Sequence, residues 1–159
     1  MLLKIYSGDS MSKVTTKLIL KCLLVVVCFS SFAAEIGPFT YVQAEDIDWD
    51  ENSSEIQRIN LLGAQDQEGF YVYRVRFPRG ITTEPHFHSM ERHVTVLEGT
   101  WYAGTDASHD ISKATPITAG GYMIHPAGAV HFDGSVDGPV VVEIKGIGPV
   151  TTTSVEIEL

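Results

Sequence analysis

Beyond Cys28 the sequence has no cysteine, and from Glu35 to Leu159 it carries only seven basic residues against nineteen acidic ones. The missing thiols exclude a disulfide scaffold, a cysteine nucleophile and a thiolate zinc site from that segment, so any metal there must rest on histidine and carboxylate. The formal charge of −12 over those 125 residues, against −9 for all 159, excludes a protein that works by neutralising phosphates, and nucleic acid with it as a partner. No stretch after Gly69 keeps a 3.6-residue apolar period, so no amphipathic helix is expected there. A Gly-x-Ser-x-Gly elbow, a phosphate-binding loop and a dinucleotide fingerprint are all absent. What remains is long enough for one domain with its own core.

The chain also lacks an uncharged apolar run of membrane-spanning length. Cys22 to Phe29 is an unbroken run of eight, where a span takes roughly 18 or more residues. Lys13, Lys17 and Lys21 precede it, Ser30, Ser31, Ala33 and Ala34 follow, and Ser31-Phe32-Ala33 is an A-x-A-like cleavage site. Residues 1–34 are therefore read as a cleavable signal peptide, which predicts a periplasmic or secreted protein with no membrane attachment after cleavage. The basic flank and small-residue exit favour this over a buried core helix. Met11 opens a more conventional signal than Met1, so the start codon reads as ten residues early. A lipid anchor at Cys28 is disfavoured because Val25-Val26-Val27 lacks the small residue such sites carry before the cysteine.

Residues 35–57 form an acidic leader, with Glu45, Asp46, Asp48, Asp50, Glu51 and Glu55 and no base among them. A calcium loop starting at Asp46 fails on chemistry, because Glu51 stands where the loop needs glycine and Gln57 where it needs a bidentate glutamate. A solvated arm or edge segment is expected instead. The domain proper is read as 58–159. Gly69 to Phe77 alternates, with Tyr71, Tyr73, Val75 and Phe77 on one face and Arg74 and Arg76 on the other, and Pro78-Arg79-Gly80 ends it. Strands are expected again over His93 to Leu97, Thr100 to Ala103, Tyr122 to His125, Val140 to Lys145 and Thr151 to Ile157. Short, regularly spaced strands with glycine and proline between them point to an all-β sandwich or barrel.

All six histidines lie between positions 86 and 131. His86 and His88 are two apart, so on a strand both imidazoles project to one side and can hold one ion. His131 ends Pro126-Ala127-Gly128-Ala129-Val130-His131, where glycine permits a tight turn. Three imidazoles on one side of iron, manganese, nickel, copper or zinc leave positions open for water or substrate. His125, extended beside Pro126, is expected to be structural with a backbone partner, and His109, in the polar loop Gly104 to Lys113, to be exposed. Tyr71 and Tyr73 read as aromatic core with hydroxyls at a barrel mouth, and Trp49 and Trp101 as packing residues.

Gly80-x5-His86-x-His88-x3-Arg92-x6-Gly99 resembles the first motif of the cupin superfamily, and Gly120-x5-Pro126-x-Gly128-x2-His131 resembles the second. Twenty residues separate the two. The stretch from His93 to Gly104, HVTVLEGTWYAG, and the GIGP at Gly146 to Pro149 are similar to small exported bacterial cupins of the cupin 2 or ChrR-like conserved-barrel kind. The resemblance implies a double-stranded β-helix, or jelly-roll, barrel with a divalent metal held by residues of both motifs, and by analogy a homodimer through sheet packing.

One position departs from the pattern. Arg92 stands where the first motif usually carries a glutamate ligand, and a guanidinium cannot coordinate. Three readings follow. His86, His88 and His131 hold the metal, with Arg92 turned to an anionic substrate or paired to a carboxylate; or His93 or Glu91 slides into the glutamate's place through a bulge, which strand parity opposes for His93; or the metal is lost. Two functions follow in turn. One is a non-haem, dioxygenase-like oxidoreductase, or an isomerase or lyase using the same site as a Lewis acid, acting on a small, anionic molecule such as a catechol, diketone or flavonol. The other is a non-catalytic exported protein that binds a metal or small ligand.

Overall fold

The computed structural model describes residues 39–157. The signal peptide read at 1–34, the Met11 start and the anchor question at Cys28 lie outside them. All strands belong to the unit Tyr41–Leu159, and among the described residues no helix is long and apolar enough to cross a membrane.

The elements are β1 (Gln57–Leu62), β2 (Gly69–Phe77), β3 (His86–His88), β4 (Arg92–Glu98), β5 (Thr100–Gly104), β6 (Thr115–Thr118), β7 (Tyr122–His125), β8 (Phe132–Gly134), β9 (Val140–Gly148) and β10 (Thr152–Ser154). Two single-turn 3-10 segments, Ala44–Asp46 and Ile111–Lys113, are the helical content described. One sheet runs β1-β2-β9-β4-β7. The pairs β10-β3 and the triple β6-β5-β8 form the opposing layer, tied together by the bridges Thr82↔Gly134 and His86↔His131. This is the all-β barrel that the strand spacing predicts, in the jelly-roll form that the cupin resemblance implies.

The alternation from Gly69 to Phe77 becomes β2, whose Tyr71, Tyr73, Val75 and Phe77 enter the core. Val94 and Val96 of β4, Val140, Val142 and Ile144 of β9 and Trp101 of β5 meet them there. Because the side-chain period is two, Arg92 shares the inward face of β4 with Val94 and Val96, while His93 faces out. The turn from β4 to β5 requires glycine: Gly99 has φ +75°, and a Cβ there would lie 2.5 Å from the Pro139 carbonyl oxygen.

Two features differ from the sequence reading. A strand, β1, opens at the boundary drawn between leader and domain; it is an edge strand, mostly exposed, and so carries no alternating signature. The leader takes the second of the two forms expected of it, an edge segment. Gln57 and Asp50 bond each other reciprocally at 2.8 and 2.9 Å, Ile47 is buried, and Glu51 pairs with Arg76. Arg76 is thereby only 5% exposed, although strand parity puts it on the outer face with Arg74, which pairs with Glu143 at 3.3 Å.

Candidate metal centre

His86 and His88 are the two ends of β3 and project to one side of it. His131, forty-five residues later, reaches them through backbone pairing: His86 and His131 exchange N–H···O bonds of 2.9 Å in both directions. Their imidazoles converge, with one nitrogen from each lying within 4.8 Å of the others. Ring centroids are 4.8 Å apart for His86 and His88, 4.4 Å for His86 and His131, and 5.2 Å for His88 and His131.

Hydrogen bonds decide which nitrogen of each ring is free. His86 Nδ1–H donates to the Glu84 carbonyl at 2.7 Å, and His131 Nδ1–H donates to the Ala129 carbonyl at 2.9 Å. A carbonyl can only accept, so in the neutral imidazole Nε2 carries the lone pair. His88 Nδ1 is held at 3.0 Å by the Thr152 hydroxyl across the β3–β10 pair. The Nε2 atoms of His88 and His131 are buried and have no partner within the protein. Unpartnered ring nitrogens that converge, with the opposite nitrogens anchored, fit a divalent transition ion, whose histidine ligands are oriented in this way.

Electrostatics keeps His88 and His131 neutral and therefore able to ligate. Burial pushes His88 down to about 2, with Arg92 and then the neighbouring imidazoles adding to it. Burial also takes His131 down to about 4, against the opposing pull of the Ala129 carbonyl. Arg92 itself is 5% exposed. It donates to the Tyr73 hydroxyl at 3.0 Å and to His125 Nδ1 at 3.3 Å, its Nε is unpartnered, and among the described residues no carboxylate lies in salt-bridge range of it. Glu91 is exposed and His93 faces Tyr122 and Glu91 outside the barrel, so neither stands at the histidine cluster.

Three residues at the site were not singled out by sequence as parts of it. His125 is buried with its ring 3.9 Å from that of His131 and stacked on Trp101; its partner is the Arg92 side chain, where the sequence suggested a backbone group. Burial, with His131 and Arg92 adding to it, sends His125 down to about 2. Asp133 is buried with its Oδ2 4.0 Å from His131 Nε2. The two form no ion pair at neutral pH, because His131 stays uncharged and burial raises Asp133, against lowering by His86, Arg92 and the Trp101 N–H. Arg58 lies with its guanidinium 3.6 Å from the Tyr73 ring centroid. His109, expected exposed, is half-buried at φ +54°, held by Thr82 at 3.0 Å and Glu84 at 3.5 Å.

A cavity of about 240 Å³ opens beside these groups, with Arg58, Gln65 and Ile56 among its lining and His86, His88, Arg92 and Asp133 also facing it. That is below the roughly 300 Å³ at which drug-sized ligand pockets begin, so the space suits a small molecule.

The neutral histidines make a pH prediction for the metal-free protein. Their folded-state values lie below the unfolded value of about 6.5, so the unfolded chain binds more protons and stability falls as pH drops. The loss begins near pH 6.5, His131 ceases to add to it near pH 4, and His88 and His125 continue lower. Three protons at about 1.4 kcal/mol per pH unit each set a ceiling of about 4 kcal/mol per unit. Asp133, raised in the fold, works the other way and trims this towards the acid end. Urea midpoints measured from pH 7 to 4.5 should fall steeply; a flat profile would show that the histidines are not held neutral.

A family model described as the ChrR cupin-like domain matches residues 38–145. No curated protein matches the sequence significantly. Solved structures of similar fold include a cupin 2 conserved barrel domain protein from Leptotrichia buccalis, with TM-score 0.54 and 19% identity over 68% of this chain and 47% of that one. The DMSP lyase DddQ from Ruegeria pomeroyi aligns with TM-score 0.53 and 19% identity over 62% of this chain and 51% of its own. The polyketide cyclase RemF from Streptomyces resistomycificus gives TM-score 0.55 and 19% identity over 75% and 88%. The chain thus spans about half the length of the first two, and at these identities the likeness speaks for the fold.

Proposed function

The chain belongs to the ChrR cupin-like domain family, and we propose that within it this protein is a metal-dependent oxidoreductase, dioxygenase-like in reaction, acting on a small organic anion. The observation that carries this reading is Arg92, a buried guanidinium without a carboxylate partner, facing the same cavity as His86 and His88. A buried charge costs several kcal/mol to desolvate, and an anionic substrate group in the cavity supplies a counter-charge beyond the raised Asp133 carboxyl on which Arg92 acts. That barrels of this fold carry names such as lyase and cyclase supports small-molecule chemistry as their use.

A divalent ion at His86, His88 and His131 would supply Lewis acidity and, if redox-active, a path for electrons to dioxygen. The remaining roles belong to the chain. Arg92 binds and orients the anion, Arg58 adds a second positive charge, and Tyr73 holds Arg92 in place through its hydroxyl, which in turn donates to Gln65 at 3.0 Å. Val75, Phe77 and Ile144 give the cavity an apolar wall that limits water. In the overall reaction both atoms of O2 enter the product and the substrate supplies the electrons.

Oxygen uptake by iron(II)-loaded protein, measured against catechols, β-diketones, flavonols and small keto acids, tests this. The expected result is uptake with one of these classes and none with His131→Ala. A loaded protein that binds compounds from the panel without oxygen uptake or product overturns it. The second reading, a non-catalytic metal- or small-ligand-binding cupin, then stands; it is favoured by the same substitution of arginine for the glutamate ligand.

A further inference from the structure

Arginine at the glutamate position leaves a three-histidine site with no anionic ligand, and a divalent ion beside Arg92 would then sit in a strongly positive, buried environment. We infer that Asp133 supplies the missing carboxylate, giving a site of His86, His88, His131 and Asp133, and that Arg92 holds His125 out of it. This rests on the reading of the three histidines as a metal site.

Asp133 follows His131 by two residues along β8 and its approach, so the two side chains share a face. Its Oδ2 lies 4.0 Å from His131 Nε2, and it faces the same cavity as His86 and His88. The backbone at this position is clamped: the Asp133 N–H donates to the Thr83 hydroxyl at 3.0 Å, and its carbonyl accepts from Thr83 N–H at 2.7 Å. The strand is fixed while the carboxylate has only its two side-chain torsions to adjust towards an ion.

A rival set exists: His125, His131 and Asp133 bring one ligand atom each within 4.8 Å of the others, as His86, His88 and His131 do, so Asp133 meets the three-histidine set through His131 and its carboxylate must turn towards His86 and His88. Proton placement separates the two sets. A guanidinium has no acceptor, so in the Arg92–His125 contact the imidazole Nδ1 must accept, and the proton of neutral His125 sits on Nε2. His86 and His131 are wired the opposite way, with Nδ1–H spent on carbonyls and Nε2 free. His125 is therefore a hydrogen-bond donor beside the site. With Trp101, which stacks on it and whose N–H is also buried, it is placed to hold an ionised Asp133, as carboxylate ligands commonly are held.

Cobalt(II) titration of the wild type and of Asp133→Asn tests the assignment, with circular dichroism confirming that the near-isosteric variant folds. Removing groups that only orient a ligand weakens metal about 10- to 100-fold, so losing the carboxylate itself should weaken cobalt by at least 100-fold and shift the visible d–d bands. In ¹⁵N-histidine spectra of zinc-loaded wild type, the Nε2 signals of His86, His88 and His131 should move while His125 keeps its Nε2–H. Unchanged affinity and bands in Asp133→Asn overturn the inference and leave the three-histidine reading intact, whereas metal-induced loss of the His125 Nε2–H overturns the inference in favour of the rival set. A wild type that binds neither ion overturns both.

Discussion

Replacing His131 with alanine is expected to take bound divalent metal from near one equivalent to background. His131 is the histidine on which both candidate ligand sets converge, and its free Nε2 is buried and unpartnered. Loss of a group that merely orients a ligand costs 10- to 100-fold in affinity, so loss of a ligand should cost more than 100-fold, or more than about 2.7 kcal/mol. The fold should survive, because the contact between His131 and His86 runs through backbone hydrogen bonds that alanine keeps. Elemental analysis of protein isolated from its native compartment, with thermal melts in the presence of metal, reads both quantities. Wild type at a metal concentration of 100 Kd should gain about 2.7 kcal/mol of stability, and the variant at the same concentration less than about 0.4 kcal/mol. His93→Ala serves as the control: it faces outwards beside Tyr122, and metal content there should not change. Equal metal in wild type and His131→Ala would remove the metal centre from this protein.

What the sequence made legible follows the physics of each signal. The two-residue period of β2 and β9 is written in apolar side chains that must reach a core, so those strands and their inward faces can be read directly. His86 and His88 are legible for the same reason, since parity alone puts them on one side of a strand. Asp133 and His125 are not. Their part in the site depends on long-range pairing, β5 with β8 and β4 with β7, and no local spacing marks a carboxylate that belongs with His86 and His88, forty-seven and forty-five residues earlier. The i, i+2 relation of His131 and Asp133 was the one available signal, and the two-histidine, one-carboxylate chemistry of many metal sites gives it meaning. β1 was hidden because an exposed edge strand needs no apolar alternation, and the burial of Arg76 was hidden because its cover, Glu51, comes from a segment whose acidity reads as solvated.

Arg92→Met is expected to weaken the substrate anion and stabilise the metal-free fold at once. Truncating one member of a buried hydrogen-bonded charge pair costs about 2–5 kcal/mol in binding, which is roughly 30-fold to a few thousandfold at 1.4 kcal/mol per tenfold. If Arg92 holds a charge that is the same in the bound substrate and the transition state, the loss falls on KM and leaves kcat near its original value. Stability turns on two opposed terms. Methionine removes a desolvated guanidinium with an unpartnered Nε, a burden of several kcal/mol. It also strips a donor from His125 Nδ1, at about 1–3 kcal/mol for an unsatisfied buried group, while Tyr73 keeps its bond to Gln65. The charge outweighs the acceptor, so the urea midpoint should rise as substrate affinity falls. Lower stability with unchanged anion affinity is the result that would sink this account, because it would make Arg92 a brace for Tyr73 and His125 and nothing more. An arginine kept at a cost to the fold is explained by what binds it.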